Sequence, residues 1–367
     1  MTEGARDFRG KGRAFRGIFG GESYRRLAAL FGFQERFYRR AVGDLRLGEG
    51  GRALDLGGNT LAEFRLDSAD VESDPAGTLR LLGRSAAAMA TNLRATGTEV
   101  IGARLAIPGL LNAHDQRLLV APNLGWSDLD PLAMLGREWD ALGIPTLTRN
   151  DADLQSLTAA YQRPGKLLAD GAFLYIFGDV GVGGAIMDRG APIRGAHGWA
   201  GEVGHTTVHA DGLACKCGSR GCLEAYASAT GLINMTREAM AAHPESLMNA
   251  LAEREGRVGG HTAFAAAERG DAAALRVVDE YVDYLACGVT NIVNGLQPEV
   301  VGIGGGVGRQ GDRLLAPLRQ KVYAEVYGGR GERFTRLTQC TLGYRAGLVG
   351  AAMAAMQSTG EAPAVCS

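Results

Sequence analysis

The sequence predicts an α/β protein, and three observations carry that reading. Short apolar segments of strand length recur at Arg52–Leu56, Glu99–Ile107, Ile144–Thr148, Ala172–Phe177 and Val300–Ile303. Segments with apolar residues three and four apart lie between them; the clearest is Asp271–Leu296, where Leu275, Val278, Val282, Leu285, Val289, Ile292 and Leu296 step without a break. The two kinds alternate along most of the 367 residues, as they must when helices pack on a largely parallel sheet.

Residues 1–20 are rich in glycine and arginine and read as disordered. Residues 1–50 carry eleven basic and six acidic side chains. Glu22–Val42 has helical spacing through Leu27, Leu30, Phe31, Phe37 and Tyr38. It suits a helix packed on the body with its arginines solvated, or a nucleic-acid arm. One such helix without a second is not a helix-turn-helix. Residues 1–50 are therefore set aside as a basic extension.

The strand Arg52–Leu56 runs into Gly57, Gly58, Asn59 and Thr60, and Leu61–Leu66 is the returning strand. Asp67–Gly77 is a polar loop, and Thr78–Ala95 is a helix through Leu79, Leu82, Ala86, Met89 and Leu93. Glu99–Ile107 alternates, with Ile101, Ala103, Leu105 and Ile107 on one side, and Pro108-Gly109 ends it. Ile144–Thr148 leads through Arg149-Asn150-Asp151 into a helix faced by Leu154, Leu157 and Tyr161. Ala172–Phe177 and Gly184–Asp188 form a hairpin around a glycine-rich turn. Pro298, Val300–Ile303 and Gly304-Gly305-Gly306 follow the long helix, and Ala346–Gln357 is the last helix. A smaller α/β lobe is assigned to 51–130 with the C-terminal helix (344–357), and a larger one to 131–343.

Net charge is −1, so the chain as a whole lacks the basic balance of a nucleic-acid binder. No apolar run approaches the length of a membrane span, and the N-terminus has no secretory apolar core. Unpaired thiols with no export signal suit a reducing cytoplasm.

The densest chemistry lies in Gly201–Glu224, GEVGHTTVHADGLACKCGSRGCLE. Half of the chain's six cysteines, Cys215, Cys217 and Cys222, fall within eight positions. Three thiols leave one over after any disulfide, and Cys215 and Cys217 are too close to pair without strain. With one imidazole they suit a closed Cys3His zinc site; spacing alone does not choose between His205 and His209. Reduced surface thiols on a glycine-rich loop are the alternative. A pinned loop would hold Glu202 and Glu224 in place beside the histidine, where carboxylates and an imidazole can bind a polyhydroxylated ligand. Glu224 could instead cap the helix AYASATGLINMTREAM. Asp151, between a strand end and a helix start, could take a proton from an attacking hydroxyl with Asn150 beside it, or be a plain helix cap.

GEVGH followed by CKCGSRGCLEAYAS resembles the signature of the ROK family, which holds bacterial sugar kinases and sugar-sensing repressors. The resemblance covers about residues 62–356. It implies an actin-like ATPase, ribonuclease H-like architecture of two lobes around a sugar site. It favours His205 as the zinc ligand with Cys215, Cys217 and Cys222, and it makes Asp151 of RNDAD the general base. Asn150, Asp151, Glu202, His205 and Glu224 would hold a hexose or N-acetylhexosamine. Asp55, Gly57, Gly58 and Asn59 resemble the first phosphate loop of the actin-like ATPases, Gly181, Gly183 and Gly184 the second, and Gly304, Gly305 and Gly306 the adenosine motif, so ATP with Mg2+ is implied. A homodimer or tetramer is implied as well.

The chain departs from the kinase pattern at several places. Val180 in FGDVGVGGA stands where a threonine hydroxyl would meet phosphate, and this stretch and APNLGWSDL look more like the repressor branch. Tyr344-Arg345 replaces an Asn-Asp. Asp55 to Pro108 is short by about one strand of an opening three-stranded meander. The leading expectation is ATP-dependent phosphorylation of a glucose-like hexose. The others are a non-catalytic, sugar-responsive transcriptional regulator, which alone would involve DNA, and a recombined protein with neither activity. Residues 20–60 locally resemble the entry of a class I methyltransferase, where a strand ends in a glycine-rich turn against S-adenosylmethionine.

Overall fold

The structure, a computed structural model, describes residues 40–46, 50–55, 60–64, 73–112, 114–159, 171–340 and 354. The chain divides into two compact units. One comprises Met1–Leu168, Arg194–Trp199 and Tyr344–Ser367, and the other Ala169–Ile193 and Ala200–Gly343.

In the first unit β1 (Arg40–Arg46), β2 (Gly50–Asp55) and β3 (Thr60–Phe64) form an antiparallel meander. Helix α1 (Pro75–Ala95) follows. Asp74 caps it by accepting from the Gly77 amide at 2.8 Å, with Pro75 in the first turn. Next come β4 (Glu99–Ile107), the short strands β5 (Leu110–Leu111), β6 (Leu118–Ala121) and β7 (Trp126–Leu129), and α2 (Arg137–Asp140). Strand β8 (Thr146–Asn150) runs directly into α3 (Asp151–Ala159). The sheet order is β3-β2-β1-β4-β8, with β4 parallel to both neighbours. Eight of its nine positions are buried, because a strand with parallel partners on both sides is covered on both faces rather than one. That explains the departure from the expected one-sided alternation. Leu79, Leu82, Ala86 and Leu93 of α1 pack with Ala103, Leu105, Ile107, Trp126 and Trp139 in the core of this unit.

Three expectations change here. Arg40–Val42, expected at the end of a helix, lie in β1; Glu22–Arg39 are outside the described residues. Pairing with β2 and β4 overrides the local helical pattern. The meander is complete, because β1 comes from residues assigned to the basic extension. The unit boundary falls at Leu168–Ala169 rather than near residue 130, since β8 pairs with β4 from Ala103↔Thr146 to Ile107↔Asn150 and so belongs to the first sheet.

The second unit holds β9 (Ala172–Gly178), β10 (Val182–Asp188) and β11 (Ala191–Pro192), then a short 3-10 turn at Val203–His205. Five helices follow: α4 (Leu223–Ala227), α5 (Ala229–Ala242), α6 (Leu247–Glu255), α7 (Thr262–Ala267) and α8 (Ala272–Leu296). Strand β12 (Val300–Gly304), α9 (Gly305–Gly308), α10 (Asp312–Glu325) and β13 (Arg336–Gln339) complete it. The sheet order is β11-β10-β9-β12-β13, with β12 parallel to β9 and β13.

The expected helix after Glu224 is two helices. Ser228 breaks it, and its Oγ accepts from the Gly231 amide at 3.0 Å to start α5. On α8 the buried stripe is Ala274, Val277, Tyr281, Val282, Leu285, Val289 and Ile292, whereas Leu275 and Leu296 are exposed. Of the last expected helix only Ala354 is described, and it is helical. No helix of the described residues is long and apolar enough to cross a membrane.

Asp271 caps α8. Its carboxylate accepts from the Ala274 amide at 2.8 Å and from the Leu247 amide at 2.7 Å, which ties the starts of α6 and α8. Burial pushes this carboxyl up, but the hydrogen bonds outweigh burial and hold it below the ordinary carboxylate range. Asp271→Ala is expected to lose roughly 1–2 kcal/mol in urea unfolding. Because the folded pKa is depressed, this contribution is complete above the unfolded value of about 3.9 and is lost as pH falls through the folded value. The gap between wild type and variant should therefore close on acidification.

Candidate functional site

Residues 201–224 fold into a small ribbon closed by backbone bridges at Thr207↔Cys222 and Ala214↔Arg220. The Cys215 amide donates to the Ser219 carbonyl at 2.8 Å, and the Gly218 amide to the Cys215 carbonyl at 3.0 Å. That tight turn aims the first two sulfurs the same way. Cys222 is buried at the start of α4, and the Leu223 amide donates to the Thr206 carbonyl at 2.9 Å. The hydroxyl of Tyr226, on the same helix, accepts from the Leu213 amide at 2.7 Å and fixes the other arm.

These contacts bring His205, Cys215, Cys217 and Cys222 together, with one ligand atom from each within 4.8 Å of the others. Cys215 Sγ is 3.8 Å from His205 Nδ1, and Cys217 Sγ is 3.7 Å from Cys222 Sγ. A tetrahedron built on metal–sulfur distances of about 2.3 Å has edges of about 3.8 Å, so the donors fit a zinc-sized ion. The structure also separates the two histidines. His209 turns its Nδ1 to the Ala210 carbonyl at 2.8 Å and stacks on Tyr226 at 6.1 Å, outside the cluster. Burial, then the hydrogen bonds from Cys217 and Cys215, push the Cys222 thiol up to about 12. Cys217 is shifted the other way: burial raises it, but hydrogen bonds from Ser219, Cys215 and Cys222 outweigh burial and hold it below the ordinary thiol range.

The other ring nitrogen of His205, Nε2, lies 4.0 Å from Glu202 Oε2. Both side chains are about one-third exposed, so Glu202 and the open edge of the imidazole can meet a ligand. Glu224 does not cap α4 by a side-chain bond. Its Oε2 accepts from the Val182 amide at 2.9 Å, and its Oε1 is 3.9 Å from Cys215 Sγ.

Val182 opens β10 just after the turn that holds Asp179, Val180 and Gly181. Because β9 and β12 run parallel, their ends bring two glycine-rich turns together, with a backbone bridge between Gly178 and Gly305. Gly305 has φ +76°, and a Cβ there would sit 2.4 Å from the Gly178 carbonyl oxygen, so only glycine allows the approach. Gly181, Gly183, Gly184, Gly304, Gly305 and Gly306 thus belong to one edge of this sheet. Val180 is 66% exposed at the tip of its turn and offers no hydroxyl. Sequence reasoning passed over Asp179, whose Oδ1 lies 3.1 Å from the position of a Cβ on Gly306 and so puts a carboxylate between the two turns. The signal was visible as an acidic residue inside a glycine-rich run.

In the first unit Asn150 is the helix cap. Its Oδ1 accepts from the Ala152 amide at 2.8 Å and its Nδ2 donates to the Gly109 carbonyl at 2.9 Å, leaving one amide hydrogen for a ligand. Asp151 is the first residue of α3 and is half-buried. Asp153 one half-turn on is a further carboxylate. Burial lifts it above the ordinary range against the pull of Arg194 and Arg149. Arg104, buried in the middle of β4, is pushed down to about 10 by burial first and by Arg149 second.

Gly57, Gly58 and Asn59 are outside the described residues. Asp55 ends β2, where it pairs with Ala41, which pairs with Val100 of β4; Asn150 pairs with Ile107 at the other end of β4. At about 3.3 Å per residue those ends are roughly 20 Å apart along the strand. Asp55 and Asn150 therefore lie toward opposite ends of this sheet, because Asp55 ends a strand antiparallel to β8. The methyltransferase reading also lacks support: after Asp55 the chain returns as the antiparallel strand β3, whereas that fold needs a helix there.

Residues 53–358 match the model of the ROK family. The glucokinase of Halalkalibacterium halodurans is 37% identical over 258 residues, which is 69% of this chain and 75% of the relative. The xylose repressor of Bacillus subtilis is 26% identical over 253 residues, 68% of this chain and 60% of the relative. Among solved structures, a ROK family glucokinase from Streptomyces griseus in complex with glucose and AMPPNP superposes with a TM-score of 0.72 at 26% identity, over 86% of this chain and 99% of that one. With its cysteine ribbon, its paired glycine turns and a family match across most of its length, this chain belongs to the ROK family.

Proposed function

We propose that the chain is a ROK-family sugar kinase that transfers the terminal phosphoryl group of ATP to a hydroxyl of a hexose. The observation that carries this reading is the 37% identity to a glucokinase over 69% of the chain. Supporting it is the likeness to a solved glucokinase bound to glucose and AMPPNP. Asp151 is the general base that takes the proton of the attacking hydroxyl. Asn150, rigid through its bonds to Ala152 and Gly109, offers its remaining amide hydrogen to the sugar. Glu202, His205 and Glu224 accept and donate to the other hydroxyls.

Zinc is held by His205, Cys215, Cys217 and Cys222 as a closed structural ion that fixes the ribbon. Nucleotide phosphates meet the amides of the turns at Gly181–Gly184 and Gly304–Gly306, and Mg2+ offsets their charge when bound. With Asp55 paired as in β2, this reading places no magnesium duty on it. The work of the chain is positioning and charge compensation rather than covalent chemistry. By family resemblance the protein assembles as a dimer or tetramer.

A second reading, a sugar-responsive regulator without catalysis, is favoured by Asp179 and Val180 in the second glycine turn and by the xylose-repressor relative. A protein of neither activity is a third. Release of ADP on adding glucose to protein and Mg-ATP supports the kinase. Its absence, together with salt-dependent binding of duplex DNA, would select the regulator.

Asp151→Asn is expected to lower turnover by roughly 10²–10⁴-fold while largely sparing sugar affinity; steady-state rates and calorimetry with glucose check this, and unchanged turnover refutes the assignment of the base. Purified wild type is expected to carry about one zinc ion per chain and Cys222→Ser far less, measured by elemental emission. Equal metal contents in the two would remove the zinc site.

A further inference from the structure

We propose that Glu224 is a strut coupling metal occupancy of the cysteine ribbon to the order of the glycine-rich turn between β9 and β10. The consequence for nucleotide affinity rests on the kinase reading above; the strut itself does not.

Glu224 lies two residues after Cys222, on the first turn of α4. One of its oxygens, Oε2, accepts from the Val182 amide at 2.9 Å; the other, Oε1, is 3.9 Å from Cys215 Sγ. One carboxylate thus touches both the ribbon and the turn. The carbonyl of the same residue, in the next peptide, is closely approached as well: a Cβ on Gly204, next to His205, would sit 1.9 Å from the Val182 carbonyl oxygen. Val182 is 3% exposed, so its amide has no water to replace Glu224 and would be left unsatisfied if the carboxylate withdrew.

The rest of the turn is held from elsewhere. The Ala229 amide donates to the Asp179 carbonyl at 2.8 Å, and the Thr230 hydroxyl donates to the Val180 carbonyl at 2.8 Å. Those contacts come from the start of α5 and involve no metal ligand. Val182 is therefore the point where the state of the ribbon reaches the turn, and Ala229 is an internal control. When the four ligand side chains are drawn to one ion, Cys215 and Cys222 fix the place of α4 and so of Glu224. When they are not, α4 loses the restraint from its ligand side chains and is held by the packing of Leu223 and Tyr226, so the carboxylate is less firmly placed.

Amide hydrogen exchange tests this on full-length protein, zinc-loaded or treated with a chelator. Expected is strong protection of Val182 in zinc-loaded wild type. Protection should fall by at least tenfold on chelation and equally in zinc-loaded Glu224→Ala, with no further fall when both are applied. Ala229 should stay protected throughout. Glu224→Gln keeps an acceptor and should retain most of the Val182 protection. Unchanged exchange at Val182 in Glu224→Ala overturns the proposal, and so does equal loosening of Ala229 on chelation, which would mean general unfolding. Calorimetry with Mg-ATP on the same samples reads the consequence: about tenfold weaker binding in the chelated and Glu224→Ala forms. Val182 exchange that responds as expected while no form binds ATP supports the strut and removes the nucleotide assignment instead.

Discussion

The convergence of four soft donors within 4.8 Å is the constraint on which the functional half of the second unit depends. A 24-residue ribbon with two short bridges has almost no apolar core of its own. Its geometry comes from backbone hydrogen bonds and from burying Val203 and Leu223 in the core of the unit, and the four donors converge where a bound ion would hold it further. The groups beside it are placed by the same stretch of chain. His205 is oriented with one nitrogen inward and the other toward Glu202. Helix α4 begins at the last ligand, and Glu224 is thereby delivered to Val182.

The sheet contributes the complementary constraint. Parallel pairing of β9 and β12 puts both strand ends on one edge, and the backbones at Gly178 and Gly305 touch. Two turns separated by more than a hundred residues become one surface of peptide amides, the arrangement that open α/β sheets use for anionic ligands. That surface also carries a carboxylate at Asp179 and an exposed apolar tip at Val180.

Much of this was legible in the sequence for identifiable reasons. Cysteine spacing marked the ribbon because few other arrangements need three thiols so close. The α8 helix and its breaker Pro298 were visible through a long uninterrupted period. Three things were not legible from spacing and composition alone. The choice between His205 and His209 depends on the stacking of His209 against Tyr226, a contact no spacing reveals. The duty of Glu224 was hidden because its partner is a backbone amide 42 positions away. The role of Arg40–Arg46 as a strand was masked because sheet pairing, not local composition, decides it.

The crowding at Gly204 has a wider meaning. With a carbonyl oxygen 1.9 Å from any added side chain, the glycine of Gly-Glu-Val-Gly-His is demanded by sterics before any ligand arrives. The most recognisable string in the chain is thus in part a packing signature, required by the fold whatever the loop goes on to bind.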